Sequence, residues 1–310
     1  MKKHYREKKK QNVKKIYFSF SFIYKFEFVF FLFLMSLSLL FFKKRPGANI
    51  NKNTNNNYVC KSSWEKERLI AHALGKINTI IYSNTLEALK YWYFEKNMLL
   101  MEADFHLTSD NHVVLTHDFS ILGRIPTLEE FKKYRLNGYL TRISFEDLVI
   151  FMEQHNDLYI ITDTKFDDIY HIQIEFDEMT EILSRHKNVN ERFIIEIYNE
   201  NMYFFLKEKK YPFKNFMFTM YKRWLNRNYT DLENIFYFCA KNKIKGIIMY
   251  SYLFNSRINT LSKKYSIPVY LHTENNLDRI SKFLENVSGI FSDEVDKSTL
   301  DAYLLNSTKI

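Results

Sequence analysis

Eight short apolar runs, each leading into a stretch with helical periodicity or a turn, restrict the fold of this 310-residue chain more than any other feature. They are Arg68–Leu74, Leu99–Phe105, Leu158–Lys165, Arg192–Tyr198, Phe216–Tyr221, Gly246–Tyr252, Pro268–Glu274 and Gly289–Val295. Runs this short, rich in Ile, Val and Phe, read as strands buried on both faces. Between them lie helical patterns at Asn84–Asn97, Ser144–His155, Asp231–Lys241, Ser256–Tyr265 and Leu277–Leu284, while His112–Asp118 returns after the second strand. Alternation of this kind predicts an α/β protein, a (β/α)8 TIM barrel.

In such barrels the chemistry sits at the C-terminal ends of the strands. Polar residues fall there: His72 on the first, Glu102 and Asp104 on the second, Asp163 and Lys165 on the third, Glu196 on the fourth, His272 on the seventh and Asp293 on the eighth. Glu102 and Asp104 are two apart on a strand and share a face, where two carboxylates repel unless a cation lies between them. With Asp163 they form a candidate all-oxygen site for a hard divalent ion, either Mg2+ or Ca2+.

The order His72, Asn84-Thr85-x-Glu87-Ala88, Glu102-x-Asp104, Leu107-Thr108-x-Asp110 and His117-Asp118 resembles the glycerophosphodiester phosphodiesterase family, whose barrel is of the phosphatidylinositol-phospholipase-C-like type. The resemblance runs from about Arg68 to Val295. Three positions depart from it: Ala73 stands where the family has Arg after the first His, Ser83 where it has Glu before Asn-Thr, and Asp163 where it has Glu.

The resemblance implies hydrolysis of a phosphodiester, with His72 and His117 as general acid and base. One of them would take the proton of the attacking oxygen and the other would supply the leaving oxygen. Glu102, Asp104 and Asp163 would hold the metal, and Lys165 would stabilise phosphate charge. Asn84, Glu196 and His272 are further candidates for substrate contact. The Asn84-Thr85-Leu86-Glu87 box also reads as a helix N-cap, and His106 reads as structural. The substrate would be a small glycerophosphodiester, a lipid head group or a phosphodiester in a surface polymer. Two alternatives remain: a phospholipase of C or D type, and a non-catalytic binding protein on the same barrel.

Ahead of the barrel, residues 1–15 form a basic tail and residues 16–42 an apolar segment long enough to cross a bilayer, with Lys25 near its start. No small-residue cleavage site follows it, so an uncleaved anchor is expected, with the tail in the cytoplasm and the barrel outside. An Asn-rich linker at 43–64 leads to a barrel domain at 65–310. The formal net charge of +9 comes largely from the tail, which argues against nucleic acid as a partner. Cys60 and Cys239 imply neither a disulfide framework nor a zinc site.

Overall fold

The computed structural model describes residues 63–220 and 229–307. The basic tail, the expected membrane segment and the linker up to residue 62, Cys60 included, lie outside them. Among the described residues no helix is long and apolar enough to cross a membrane.

The strands are β1 (Leu69–Ala71), β2 (Leu100–Leu107), β3 (Val113–Leu115), β4 (Arg135–Leu136), β5 (Leu140–Thr141), β6 (Tyr159–Thr164), β7 (Phe193–Ile197), β8 (Asn215–Thr219), β9 (Gly246–Tyr250), β10 (Val269–His272) and β11 (Gly289–Ser292). The helices are α1 (Leu86–Phe94), α2 (Leu128–Lys133), α3 (Phe145–Gln154), α4 (Ile169–Ser184), α5 (Glu200–Lys209), α6 (Tyr229–Lys241), α7 (Ser256–Tyr265), α8 (Leu277–Leu284) and α9 (Lys297–Ser307). Parallel pairing runs β1-β11-β10-β9-β8-β7-β6-β2 and closes through β1–β2, so the eight expected strands form a barrel. The return strand β3 pairs antiparallel to β2 at its edge, and β4 and β5 form a separate hairpin.

Period-two alternation inside this barrel sorts the side chains into layers. Ile70, Leu100, Ile161, Ile194, Met217, Ile248, Tyr270 and Phe291, one from each barrel strand, make one buried cluster. Two positions further along each strand stand His72, Glu102, Asp163, Glu196, Thr219, Tyr250, His272 and Asp293. Apolar packing thus fills the barrel below, and the same register lifts a ring of polar groups to its C-terminal end. Size complementarity helps set the lower layer. A Cβ on Gly246 or Gly289 would come within 2.7 Å or 2.8 Å of the Tyr270 ring, so only glycine lets that ring fit.

Trp64 belongs to the same interior cluster and is 1% exposed, although composition alone had assigned it to the linker. Its indole is core, so the folded domain begins at or before the Ser63–Lys66 turn. Helix starts follow local capping chemistry, as with Ser144 on α3 and Asn276 on α8. In the expected Asn84 box the N-cap is Thr85, whose side chain accepts from the Ala88 amide, and the helix is the shorter Leu86–Phe94. Glu87 does not close that box; its carboxylate accepts from the amide and hydroxyl of Thr141. Cys239 is a buried free thiol within α6.

Candidate functional site

A cavity of about 750 Å3 opens at the C-terminal ends of the strands, lined by His72, Asp104, His117, Asp163, Lys165 and His272 among others. Glu102, Asp104 and Asp163 bring one carboxylate oxygen each to within 4.8 Å of one another. Two of these residues are opposed across the β2–β6 pairing, where Asp104 is the register partner of Asp163, and Glu102 lies two residues before Asp104 on the same face.

Each carboxylate is held in place by its own partners. Glu102 Oε2 accepts from the Ala73 amide at 2.7 Å, while Glu102 Oε1 is buried with no hydrogen-bond partner among the described residues. Asn84 grips Asp104 twice, donating from Nδ2 to Oδ2 at 2.6 Å and accepting from the Asp104 amide at 3.0 Å. It does so from a left-handed backbone, φ 47°, and is wholly buried. Asn84 is therefore a site residue and Thr85 the cap, a division the sequence pattern could not make because both types cap helices. Tyr198 donates its hydroxyl to Asp163 Oδ1 and to the Thr164 carbonyl. Lys165 reaches both aspartates with its ammonium, at 2.5 Å from Asp163 Oδ2.

Charge crowding sets the protonation pattern. Burial, reinforced by Asp104 and Asp163, pushes the Glu102 carboxyl well above its ordinary range. Burial also acts to raise Asp104, but Lys165 and Asn84 outweigh it and hold that carboxyl below its usual value. For Lys165 burial opposes the charge, and the surrounding carboxylates more than reverse it, so the ammonium persists.

His72 is 4% exposed, with Nδ1 2.7 Å from Asp293 Oδ1. Burial pushes Asp293 up, yet the bond to His72 and one from Asn275 Nδ2 at 2.9 Å bring it below the usual carboxylate range. An ionised carboxylate only accepts, so Nδ1 of His72 carries the proton and Nε2 is left for chemistry. That Nε2 stands 3.8 Å from Glu102 Oε2, close but beyond hydrogen-bond length.

His117 sits two residues beyond β3, half-exposed, with Nδ1 3.0 Å from Asp118 Oδ2. The Tyr82 ring lies between the two histidines, its centroid 4.8 Å from that of His72 and 5.1 Å from that of His117. His272 packs 4.8 Å from the His72 ring, and burial with the neighbouring His72 pushes it down to about 3, so it is neutral at pH 7.

Glu196 departs from the expectation of substrate contact. Its carboxyl is wholly buried, bonded through Oε2 to Thr219 Oγ1 at 2.7 Å, and raised by burial and by Asp163. A substrate could reach it only by displacing its neighbours. Lys165 likewise is not a freely waiting phosphate ligand but part of the carboxylate cluster. His106 packs its ring on Phe119 and Phe166, in line with a structural part. The sequence pattern places Asp293 among the strand-end polar groups without giving it a role, and it does not single out Tyr198 or Tyr82. Tyr198 shares the strand-end parity of the other polar groups, which is the one signal that could have found it.

The residues fit a hard divalent cation. The donors are all oxygen, three carboxylates converge, and Glu102 keeps a buried oxygen without a partner among the described residues. Glu102, Asp104 and Asp163 are the groups that could hold it.

No protein-family model matches the sequence, and no curated protein does. Solved structures do match in fold. A glycerophosphodiester phosphodiesterase from Parabacteroides distasonis superposes with a TM-score of 0.62 at 16% identity, covering 79% of this chain and 99% of that one. One from Thermotoga maritima gives 0.57 at 20% identity, covering 77% and 98%. An Oleispira antarctica phosphodiesterase in complex with the product sn-glycerol-3-phosphate gives 0.61 at 16% identity, covering 76% and 96%. The chain has the barrel fold of these phosphodiesterases.

Proposed function

We propose that the protein is a phosphoric diester hydrolase that cleaves glycerophosphodiester-like bonds with the help of one divalent metal, Mg2+ or Ca2+. The observation that carries this reading is the convergence of Glu102, Asp104 and Asp163 beside His72 in one cleft, on a barrel shared with glycerophosphodiester phosphodiesterases. The product bound to the Oleispira antarctica structure supports a small glycerol-phosphate moiety as the recognised part.

A metal bound by the three carboxylates would polarise the phosphoryl oxygens and offset their charge. The chain's own groups do the rest. His72, oriented by Asp293, takes the proton of a substrate hydroxyl through Nε2 as that oxygen attacks phosphorus. His117, open to solvent at the cleft wall, gives a proton to the departing alkoxide as its P–O bond breaks. Water then opens the resulting cyclic phosphate with the two histidines in reversed roles. Lys165 keeps Asp104 ionised, pairs with Asp163 and adds positive charge beside the phosphate. Ala73 contributes only its amide, to Glu102, so the positive charge an Arg would bring is absent at that position.

We further propose that the apolar 16–42 segment anchors the barrel to a membrane, with the barrel on the side away from the basic tail. The basic residues before the segment and its length support this.

The test is turnover of glycerophosphocholine and related diesters by the full chain, with and without chelator. Metal-dependent release of glycerol phosphate is expected, and His117→Ala should lower kcat by about 10²–10⁴-fold with the fold intact, since the residue is half-exposed. Turnover that ignores chelator and the loss of His117 would overturn the reading.

A further inference from the structure

The two ends of the barrel differ in what they show to solvent. Around the mouth, Ile81, Ile121, Ile125, Tyr139, Tyr170 and Tyr252 are exposed, with Tyr170 at 70% and Tyr252 at 66%. All lie on connections at the cleft end. Ile81 follows β1 and adjoins the cleft-lining Tyr82. Ile121 and Ile125 follow the cleft-lining His117. Tyr139 caps the β4–β5 hairpin and accepts from Asn78 of the β1–α1 loop at 3.0 Å. Tyr170 is in the first turn of α4, just beyond β6, and Tyr252 stacks on the cleft-lining Tyr250 with centroids 5.2 Å apart.

At the opposite end, the connections into the strands carry polar groups: Glu95, Lys96 and Asn97; Arg185, His186, Lys187 and Asn188; Asn242 and Lys243. The exposed large apolar side chains toward that end are Phe94, the last residue of α1, and Leu304 and Leu305 near the end of α9. The remaining exposed apolar residues, such as Phe204 and Tyr237, are scattered over helices, as on any soluble surface. Isolated cases need no explanation, but six Ile and Tyr side chains gathered on the connections around the working end do.

We propose that this rim docks on a lipid bilayer, so that the cleft draws its phosphodiester from the membrane surface. The proposal rests on the phosphodiesterase reading for its substrate but not for the docking itself. Isoleucine tips with tyrosine belts suit the interface, where an apolar body enters the acyl boundary and a hydroxyl stays wet. The chain outside the described residues argues for a bilayer over another occupant. The apolar run ends at Phe42, and residues 43–62 then lead to Ser63. That connection of about 20 residues reaches at most about 65–70 Å fully extended. A barrel strand is only about 17–20 Å long, so a segment anchored in a bilayer would leave the mouth within reach of the surface.

A spin label reports the docking independently of activity. In the full chain carrying Cys60→Ser, with Cys239 buried and unlabelled, labels at Ile125→Cys and Tyr170→Cys are compared with one at Phe204→Cys in phosphatidylcholine vesicles. Preferential relaxation by oxygen over a water-soluble nickel complex at 125 and 170, but not at 204, is the expected result. Equal aqueous access at all three positions would overturn the proposal. Loss of access to both relaxants at 125 and 170 would also overturn it, by assigning the rim to a protein contact. In a second measurement, the variant Ile121→Ser/Ile125→Ser/Tyr170→Ser should lose about tenfold or more in kcat/KM on a monoacyl glycerophosphodiester held in vesicles, with its rate on soluble glycerophosphocholine unchanged. An equal effect on both substrates would count against docking. Absence of turnover on either substrate in the wild type would remove the phosphodiesterase reading and leave the labels to decide the docking.

Discussion

Nδ1 of His72 stands 2.7 Å from Oδ1 of Asp293, joining the end of the first barrel strand to the end of the last. The contact forms because β1 and β11 are register neighbours, with Ala71 opposite Ser292, so the next residue on each strand meets across the barrel seam. A carboxylate there fixes the proton on Nδ1 and leaves Nε2 basic.

Asp293→Asn should therefore preserve the fold and lower kcat by about 10²–10⁴-fold with little change in KM, because an amide no longer enforces the tautomer. Steady-state kinetics against a soluble glycerophosphodiester check this. Undiminished kcat would reduce Asp293 to a strand-end structural group. His72→Ala is the poorer test: the ring is buried, and its removal leaves Asp293 short of a partner at a cost of about 1–3 kcal/mol.

A second prediction concerns a carboxyl outside the cleft. Glu175, in α4, is wholly buried, neither oxygen has a hydrogen-bond partner among the described residues, and burial pushes it well above its ordinary range. Its raised value means that the stability it contributes is present while it is protonated, below the unfolded value near 4.5, and is lost as pH rises through the folded value. Glu175→Met should thus stabilise the protein at pH 8 by about 1–3 kcal/mol and by less at pH 5. Urea unfolding at the two pH values measures the difference, and destabilisation at pH 8 would show that the carboxylate has a partner in solution.

How far the sequence could be read follows from where the information lies. Strands such as Tyr159–Thr164 are buried on both faces, so their composition alone reveals them, and period two places Glu102 beside Asp104 without a structure. Partner choice is different, because it depends on residues distant in the chain. Nothing local to Asn84 distinguishes a cap from a clasp on Asp104, and nothing local to Glu196 reveals that Thr219 seals it in the floor. Trp64 lies next to an Asn-rich stretch, and compositional reading averages over a single side chain that joins the interior cluster of the barrel.

The raised Glu102 carboxyl gives a third prediction, with its sign fixed by linkage. Burial, Asp104 and Asp163 hold its folded value above the unfolded one near 4.5, so the metal-free fold loses stability as pH climbs from that point. His272, pushed down to about 3, acts the opposite way below about 6.5, so a bare pH profile would mix the two. Comparison with Glu102→Gln isolates the carboxyl. Metal-free, the variant should melt higher than wild type by a margin that widens from pH 5 to pH 8. With millimolar Ca2+ or Mg2+ the order should reverse at pH 8, since only the wild type gains stability by binding. Identical melting of the two proteins across this range, with and without metal, would remove Glu102 from the metal site.

Lys165 yields the last prediction, because its ammonium pairs with the same two aspartates that would hold a cation. With Lys165 present the cluster of Glu102, Asp104 and Asp163 is partly neutralised, so a divalent ion must share or displace that pairing. Removing the charge in Lys165→Met leaves the carboxylates facing one another with no cation of the chain's own between them. The metal-free variant should melt lower than wild type, and its affinity for Ca2+ or Mg2+ should rise by about tenfold or more, since like charges a few Å apart interact by several kcal/mol even at an effective dielectric constant near 20. Turnover should move the other way, falling by about 10²–10³-fold as positive charge beside the phosphate is lost. Calorimetric titration of metal and steady-state kinetics on the same preparation read both effects. Tighter metal binding with lower kcat is the combination that only a lysine serving both the carboxylates and the phosphate produces. Weaker metal binding in Lys165→Met would mean that the ammonium organises the carboxylates for the ion rather than competing with it.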